Sequence, residues 1–262
     1  MNDILLSFIL GIIQGLTEFL PISSSAHLLF PSLLFGTNDL GLYFDISVHA
    51  GTLVAVVYYF KNSIFLMGKS LFTNLKASNK NKDLVFQLII ATLPIIIVGL
   101  FFKDLIEQRI FDTNSIAIAN LFFAAVLFFA YMKNKANKAL INITLYSALL
   151  IGIFQCFALV PGASRSGTAI TAGLLIGLNL KDASKFAFLL AIPTILAALT
   201  LLSFDLKTEV VEFNLLNLIV GFVTSMIFAF FTIKLFLNVV EKIGMIPFIA
   251  YRVLLGVFLI LM

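Results

Sequence analysis

Gln14-Gly-Leu-Thr-Glu18-Phe-Leu-Pro21-Ile-Ser23-Ser24-Ser25-Ala-His27 cuts through an apolar run that extends from Ile4 to Phe35. Spanning a hydrocarbon core of about 30 Å takes roughly 20 apolar residues, and the run is long enough. A carboxylate, a helix-breaking proline and three adjacent serines do not suit a continuous span. The run is therefore expected to form two short half-helices around a polar elbow. Such backbone is tolerated at membrane depth only where protein buries it or where it lines a wet cavity. A second run, Ile141 to Leu180, is broken in the same way by Pro161-Gly162-Ala163-Ser164-Arg165-Ser166-Gly167-Thr168. Both read as re-entrant hairpins packed inside a bundle.

The rest of the chain agrees. Of 262 residues, 61% are hydrophobic and 11% charged, and the mean hydropathy is +1.11. Soluble domains carry nearer a quarter of charged residues, so an integral membrane protein is expected and a nucleic-acid partner is excluded. Six further segments read as spans: Phe44 to Phe60, Val85 to Phe102, Ser115 to Tyr131, Phe186 to Phe204, Leu215 to Ile233 and Ile243 to Met262. The expected fold is all-α and polytopic, with six transmembrane helices and two hairpins in one domain over 1–262. The lone cysteine, Cys156, offers neither a disulfide nor a metal cluster. Met1-Asn-Asp lacks a basic leader region, so the first run is expected to stay in the mature protein.

Loop charge orients the spans, and the net charge of +4 records that orientation rather than a basic partner. Lys61, Lys69, Lys76, Lys80 and Lys82 follow the first span and Lys133, Lys135 and Lys138 the third, whereas Asp205, Glu209 and Glu212 follow the fourth. With the lysine loops cytoplasmic, both termini fall outside and the hairpins enter from opposite faces. An internal repeat fits this plan. Gly11, Gln14, Pro21 and Ser24 line up with Gly152, Gln155, Pro161 and Ser164 if one residue is skipped before the proline. The halves, about 1–138 and 139–262, each hold one hairpin and three crossings, so the second copy inserts inverted.

Gln14 and Glu18 stand four apart and share one helical face. An acid inside the membrane is expensive without a partner and points to function, unless it lies at the interface. Ser23, Ser24 and Ser25 supply hydroxyls where a new helix starts, for capping or for chemistry. His27 lies three residues after Ser24, near enough on one turn to share a network with it, which is the minimum for an activated nucleophile. His49 reads as structural or interfacial. In the second elbow, backbone amides at Gly162 and Gly167, the hydroxyls of Ser164 and Ser166, and Arg165 make an anion site suited to phosphate. A purely structural Glu18–Arg165 pair would still bring the elbows together. An anionic headgroup in the bundle belongs to a lipid or to a transported solute, and phosphoryl chemistry on a lipid fits best.

The first elbow and Pro161-Gly-Ala-Ser164-Arg165-Ser166-Gly167 resemble the two signature motifs of the undecaprenyl-diphosphate phosphatases, the bacitracin-resistance BacA family. The resemblance extends along the chain, through Phe44-Asp45, Gly51-Thr52 and the Phe186 to Ile195 stretch with Pro193. It implies hydrolysis of undecaprenyl diphosphate to the monophosphate and inorganic phosphate, recycling a carrier lipid for cell-wall polymers. It also implies a bacterial plasma membrane, a site open to the outer side and dependence on a divalent cation, Mg²⁺ or Ca²⁺. By the same resemblance, Ser24 is the nucleophile, His27 an active-site histidine, Arg165 the phosphate-binding arginine and Glu18 the second acid of a (Glu/Gln)-x-x-x-Glu motif. Gln14 takes the first place with a neutral oxygen, which weakens metal ligation by Gln14 and Glu18 or shares it with the substrate. Gln14, Ser23, Ser25, Gly162, Ser164, Ser166 and Gly167 are expected to bind substrate, with His27 or Glu18 taking the proton of Ser24. Attack by water instead of Ser24, and a homo-oligomer, stay open.

The rival from another class is a transporter or flippase of an anionic prenyl-phosphate lipid, since broken helices in inverted repeats are also the plan of secondary transporters. A carrier needs no nucleophile. The lipid phosphatases that use two histidines fit poorly, because His27 and His49 are both early and neither adjoins Arg165 in sequence.

Overall fold

A computed structural model of the chain describes residues 2–28, 30–37, 40–72, 80–102, 112–135, 139–140, 143–205 and 214–262. Lys76, Lys138, Glu209, Glu212 and the Ile141 start of the second hairpin lie outside the described residues. Helix α1 (Asp3–Thr17) starts where Asn2 accepts a hydrogen bond from the Ile4 amide, with Asp3 in the positive first turn. It ends just short of Pro21, and α2 (Ser24–Leu28) and α3 (Phe30–Phe35) follow the elbow. Then come α4 (Leu42–Tyr59), α5 (Lys61–Leu71), α6 (Lys80–Phe101) and α7 (Thr113–Lys133). Asp112 caps α7 by accepting from the Ser115 amide, and Ser115 holds the Asp112 carboxyl below its ordinary range. The second broken segment comprises α8 (Leu145–Gln155), a 3-10 turn (Cys156–Leu159) and α9 (Arg165–Leu175). Helices α10 (Leu180–Asp205), α11 (Leu215–Ile243) and α12 (Ile246–Leu261) complete the chain.

Five helices, α4, α6, α7, α10 and α11, are long and apolar enough to cross a membrane, so the protein is a polytopic helical membrane protein. The expected sixth span, Ile243 to Met262, is shorter. Helix α11 continues past Ile233 to Ile243 and stops at Gly244, which has φ +68. Pro247 then opens α12 with 16 residues, about 24 Å at 1.5 Å per residue, short of a core of about 30 Å. The start of the fourth span also moves, from Phe186 to Leu180. The short helix α5 begins the lysine-rich segment and holds Phe65 exposed.

Helices α1 and α4 lie along α11, α8 along α6, α9 along α10, and α7 along α12. Half of the apolar stretch of α10 is buried, against 28% for α6, which makes α10 the central helix. Its Phe186, Phe188, Leu189 and Leu190 fill the core with Phe19, Ile170 and Phe236. Ile89, Leu93 and Ile97 of α6 and Phe122 and Phe129 of α7 face outward, an exterior that suits hydrocarbon rather than water. The contact of α8 with α6 requires Gly152, where a Cβ would meet the Ala91 carbonyl oxygen at 2.3 Å. Backbone cannot step aside as a side chain can, so Gly152→Ala is expected to cost about 1–3 kcal/mol. Thermal unfolding in detergent should show a midpoint lowered by roughly 5 °C. An unchanged midpoint would mean that α8 and α6 do not meet there.

Candidate active site

Glu18 is the centre of the polar cluster. It sits one residue beyond α1, 7% exposed, and its two oxygens are used separately. Oε2 accepts from Gln14 Nε2 at 2.8 Å and from Ser24 Oγ at 3.0 Å, while Oε1 accepts from Arg165 Nη2 at 2.7 Å. The i, i+4 spacing delivers Gln14 on the same helical face, the turn at Pro21 brings Ser24 back at the start of α2, and the other elbow supplies Arg165 at the start of α9. The two broken segments thus meet at one carboxylate. Gln14 Oε1 and Arg165 Nη1 are buried without a partner. A buried polar atom left unpaired is costly, and this acceptor and donor lie at the ends of side chains already fixed through Glu18.

The two histidines face different partners. His27 lies against α12: Nδ1 donates to the Ser23 carbonyl at 2.7 Å, Nε2 is 2.7 Å from the Tyr251 hydroxyl, and the two rings stack at 5.4 Å. With Nδ1 protonated, Nε2 of the neutral ring accepts the Tyr251 proton. Both nitrogens are therefore occupied away from the Ser24 hydroxyl, which bonds Glu18 instead. His49 is the histidine that faces the carboxylate, with Nε2 3.9 Å from Glu18 Oε2 and Nδ1 donating to the Asp45 carbonyl at 2.7 Å.

Each elbow turns on a serine in the left-handed region, Ser23 at φ +70 and Ser164 at φ +72. Such a conformation is uncommon without glycine, costs of the order of 1–3 kcal/mol and gathers at functional sites. Gly11 with Gly152, Gln14 with Gln155 and Ser23 with Ser164 are equally far apart in sequence, so the two elbows match with no residue skipped. Ser164 therefore corresponds to Ser23 rather than Ser24, and Ser24 to Arg165. Ser164 caps α9 by accepting from the Gly167 amide at 3.1 Å. The hydroxyls of Ser25 and Ser166, expected on the substrate, are engaged across the elbows: Ser25 Oγ accepts from the Gly162 amide at 3.1 Å, and Ser166 Oγ donates to the Leu20 carbonyl at 2.8 Å.

Sequence reading passed over Arg252, the largest fully buried side chain among the described residues. Its Nε and Nη2 donate to four amide oxygens, Asn120 Oδ1, Asn120 O, Gly162 O and Ala163 O, at 2.8 to 3.2 Å. Asn120 returns a bond from Nδ2 to the Arg252 carbonyl at 2.7 Å. Arg252 thereby pins the second elbow to α7 and α12. The signal was available, because a guanidinium inside an otherwise uncharged helix meets the criterion that singled out Glu18. Gly162 is fixed on every side, with φ +97 and the place of a Cβ 2.3 Å from the Ile116 carbonyl oxygen.

Fold and site together define an integral membrane protein with a charged, hydroxyl-rich centre closed between two broken helices. Residues 7–258 match the family described as bacitracin resistance protein BacA. The chain is 41% identical over 256 residues to undecaprenyl-diphosphatase 1 of Pseudoalteromonas translucida, with 96% of each chain covered. It is 42% identical over 255 residues to the undecaprenyl-diphosphatase of Saccharophagus degradans, covering 97% of this chain and 96% of that one. With the undecaprenyl-diphosphatase of Teredinibacter turnerae it shares 42% over 259 residues, 98% of each. The chain belongs to the BacA family.

Proposed function

We propose that the protein is an undecaprenyl-diphosphate phosphatase of the bacterial plasma membrane. It releases undecaprenyl phosphate and inorganic phosphate, recycles the lipid carrier for cell-wall polymers and confers bacitracin resistance. Near-full-length similarity to curated undecaprenyl-diphosphatases supports the activity. One observation carries its location: a single carboxylate, Glu18, receives the Ser24 hydroxyl of one elbow and the Arg165 guanidinium of the other.

In this reading chain 1–262 is one domain of two inverted repeats. Helix α12 makes a sixth crossing, the broken segments are re-entrant hairpins, both termini lie outside, and the site opens to the outer face. The diphosphate enters between the elbows, where Arg165 Nη1 and the amides at the start of α9, with Gly162, Ser164 and Gly167 shaping the turn, take its charge. Gln14 and Ser23 complete the binding set. Ser24 Oγ attacks the terminal phosphorus, its proton passes to Glu18 Oε2, and the bond from phosphorus to the bridging oxygen breaks to release undecaprenyl phosphate. Water then hydrolyses the phosphoserine. His27, bonded to Ser23 and Tyr251, holds the backbone from which Ser24 projects.

A divalent cation fits in one manner. No group of three His, Cys, Asp or Glu forms a cage among the described residues, and the oxygens of Glu18 already take three hydrogen bonds. The unpartnered Gln14 Oε1 and the adjacent Glu18 suit an ion carried largely by the substrate phosphates, as Mg²⁺ is commonly held. Such an ion would neutralise charge on the diphosphate.

Ser24→Ala tests the covalent route. Turnover of undecaprenyl diphosphate is expected to fall at least about a hundredfold, and acid-quenched wild type to carry a phosphoryl group on the peptide containing Ser24. A Ser24→Ala variant that keeps wild-type turnover would transfer the attack to water.

A further inference from the structure

Resting on that reading of the site, we infer that Ser25 and Ser166 are paired positioning residues, a reciprocal clamp that locks the two elbows together across the catalytic gap. Each is the second residue of the helix that leaves its elbow, and each reaches the backbone of the other elbow, Ser25 to Gly162 and Ser166 to Leu20. Each also bonds the left-handed serine two residues before it, Ser25 to Ser23 at 3.1 Å and Ser166 to Ser164 at 3.2 Å.

Donor directions follow from the partners. A backbone amide only donates, so Ser25 Oγ is an acceptor toward Gly162, and between Ser25 and Ser23 either hydroxyl can donate. A carbonyl only accepts, so Ser166 spends its proton on Leu20 and receives that of Ser164. Both hydroxyls are thus satisfied within the protein, in chains that run from a strained serine to the opposite elbow. The distance between Ser24 on one elbow and Arg165 on the other is set where these chains cross. Ser24 and Ser25 are adjacent, as are Arg165 and Ser166, so each anchor stands beside a residue that acts on the phosphate.

These two bonds flank the Glu18–Arg165 pair that joins the same elbows, and they act in parallel with each other. While either remains, the other elbow stays close, so single losses should be mild and the double loss more than their product. Ser25→Ala and Ser166→Ala are expected to lower kcat roughly five- to tenfold each with KM within about twofold, and together by about a thousandfold. Residues that bind substrate directly would instead raise KM and combine multiplicatively.

A readout without catalysis accompanies the kinetics. Hydrogen exchange at the Gly162 amide, measured in the full chain in detergent, should quicken at least about tenfold in Ser25→Ala, less in Ser25→Cys with its weak sulfur acceptor, and little in Ser25→Thr. Ser166→Thr should likewise recover most of the kcat lost in Ser166→Ala. Coupled losses in kcat with graded exchange support the clamp. Multiplicative losses, losses carried by KM, or exchange indifferent to the residue at position 25 overturn it. If the alanine variants do not fold, the cysteine and threonine variants decide through exchange alone. Wild type without phosphatase activity would defeat the reading of the site, and the exchange series would still decide the clamp.

Discussion

Glu18→Gln is expected to lower turnover by about a thousandfold while leaving the protein foldable. The substitution keeps the volume and one oxygen but removes the charge and turns the second oxygen into a donor. Glu18 now accepts from three donors, Gln14 Nε2, Ser24 Oγ and Arg165 Nη2. With the amide nitrogen toward Arg165 a donor meets a donor, and with it toward Gln14 and Ser24 both must turn to accept, which points the Ser24 proton away from any base. Ser24 loses the group that takes its proton, a loss usually worth 10²–10⁴ in rate, so about 10³ is expected. Initial rates of phosphate release, with melting curves on the same preparations, separate chemistry from folding. Turnover within about tenfold of wild type would remove Glu18 from proton transfer.

Arg165→Ala should be worse still, because it acts on two states of the protein. In the resting protein it strands the buried Glu18 carboxylate, and breaking a buried ion pair from one side typically costs about 3–5 kcal/mol. During turnover it withdraws the cation that faces the transferring phosphoryl group, where arginine contributes about 10³–10⁵. The lysine variant divides the two effects. Arg165→Lys restores a positive charge near Glu18, so the melting temperature should largely return. A point charge cannot hold Glu18 and a phosphate in two directions as the planar fork of Nη2 and Nη1 can. Its kcat should therefore stay about a hundredfold low. Full recovery by lysine would mean that charge alone, without geometry, serves the site.

The pairing of Glu18 with Arg165 was legible in the sequence for a physical reason. Charges in apolar runs must find partners, and one acid and one base in two broken segments leave few choices. The same logic extended to Arg252, which stands at the middle of the last apolar run, Ile243 to Met262, but no opposite charge marks where it goes. Its partners, Asn120 and the carbonyls of Gly162 and Ala163, are backbone or neutral groups brought by folding from far along the chain. The histidines show the limit of local spacing. His27 is three residues from Ser24 yet turns to Tyr251, while His49, far from the elbow in sequence, faces Glu18.

Helix lengths were legible to within a turn or two where caps are strong, as at Asp112 for α7. At the last span they were not, since Lys234, Glu241 and Lys242 end the apolar run near Ile233 while the helix itself continues to Ile243 and stops only at Gly244. The correspondence of the elbows was visible in Gly11, Gln14, Gly152 and Gln155. Aligning proline with proline obscured its register, which the shared left-handed conformation of Ser23 and Ser164 restores. At the place corresponding to Glu18, the second elbow carries Leu159. Only the first elbow has the acid.

The most direct test of the account is phosphate release from undecaprenyl diphosphate by the purified protein in detergent, wild type beside Glu18→Gln and Arg165→Ala, each shown to be folded. Release by the wild type and its near-complete loss in both variants are expected. A folded wild type that releases no phosphate with Mg²⁺ or Ca²⁺ supplied, or variants that release it at the wild-type rate, would contradict it.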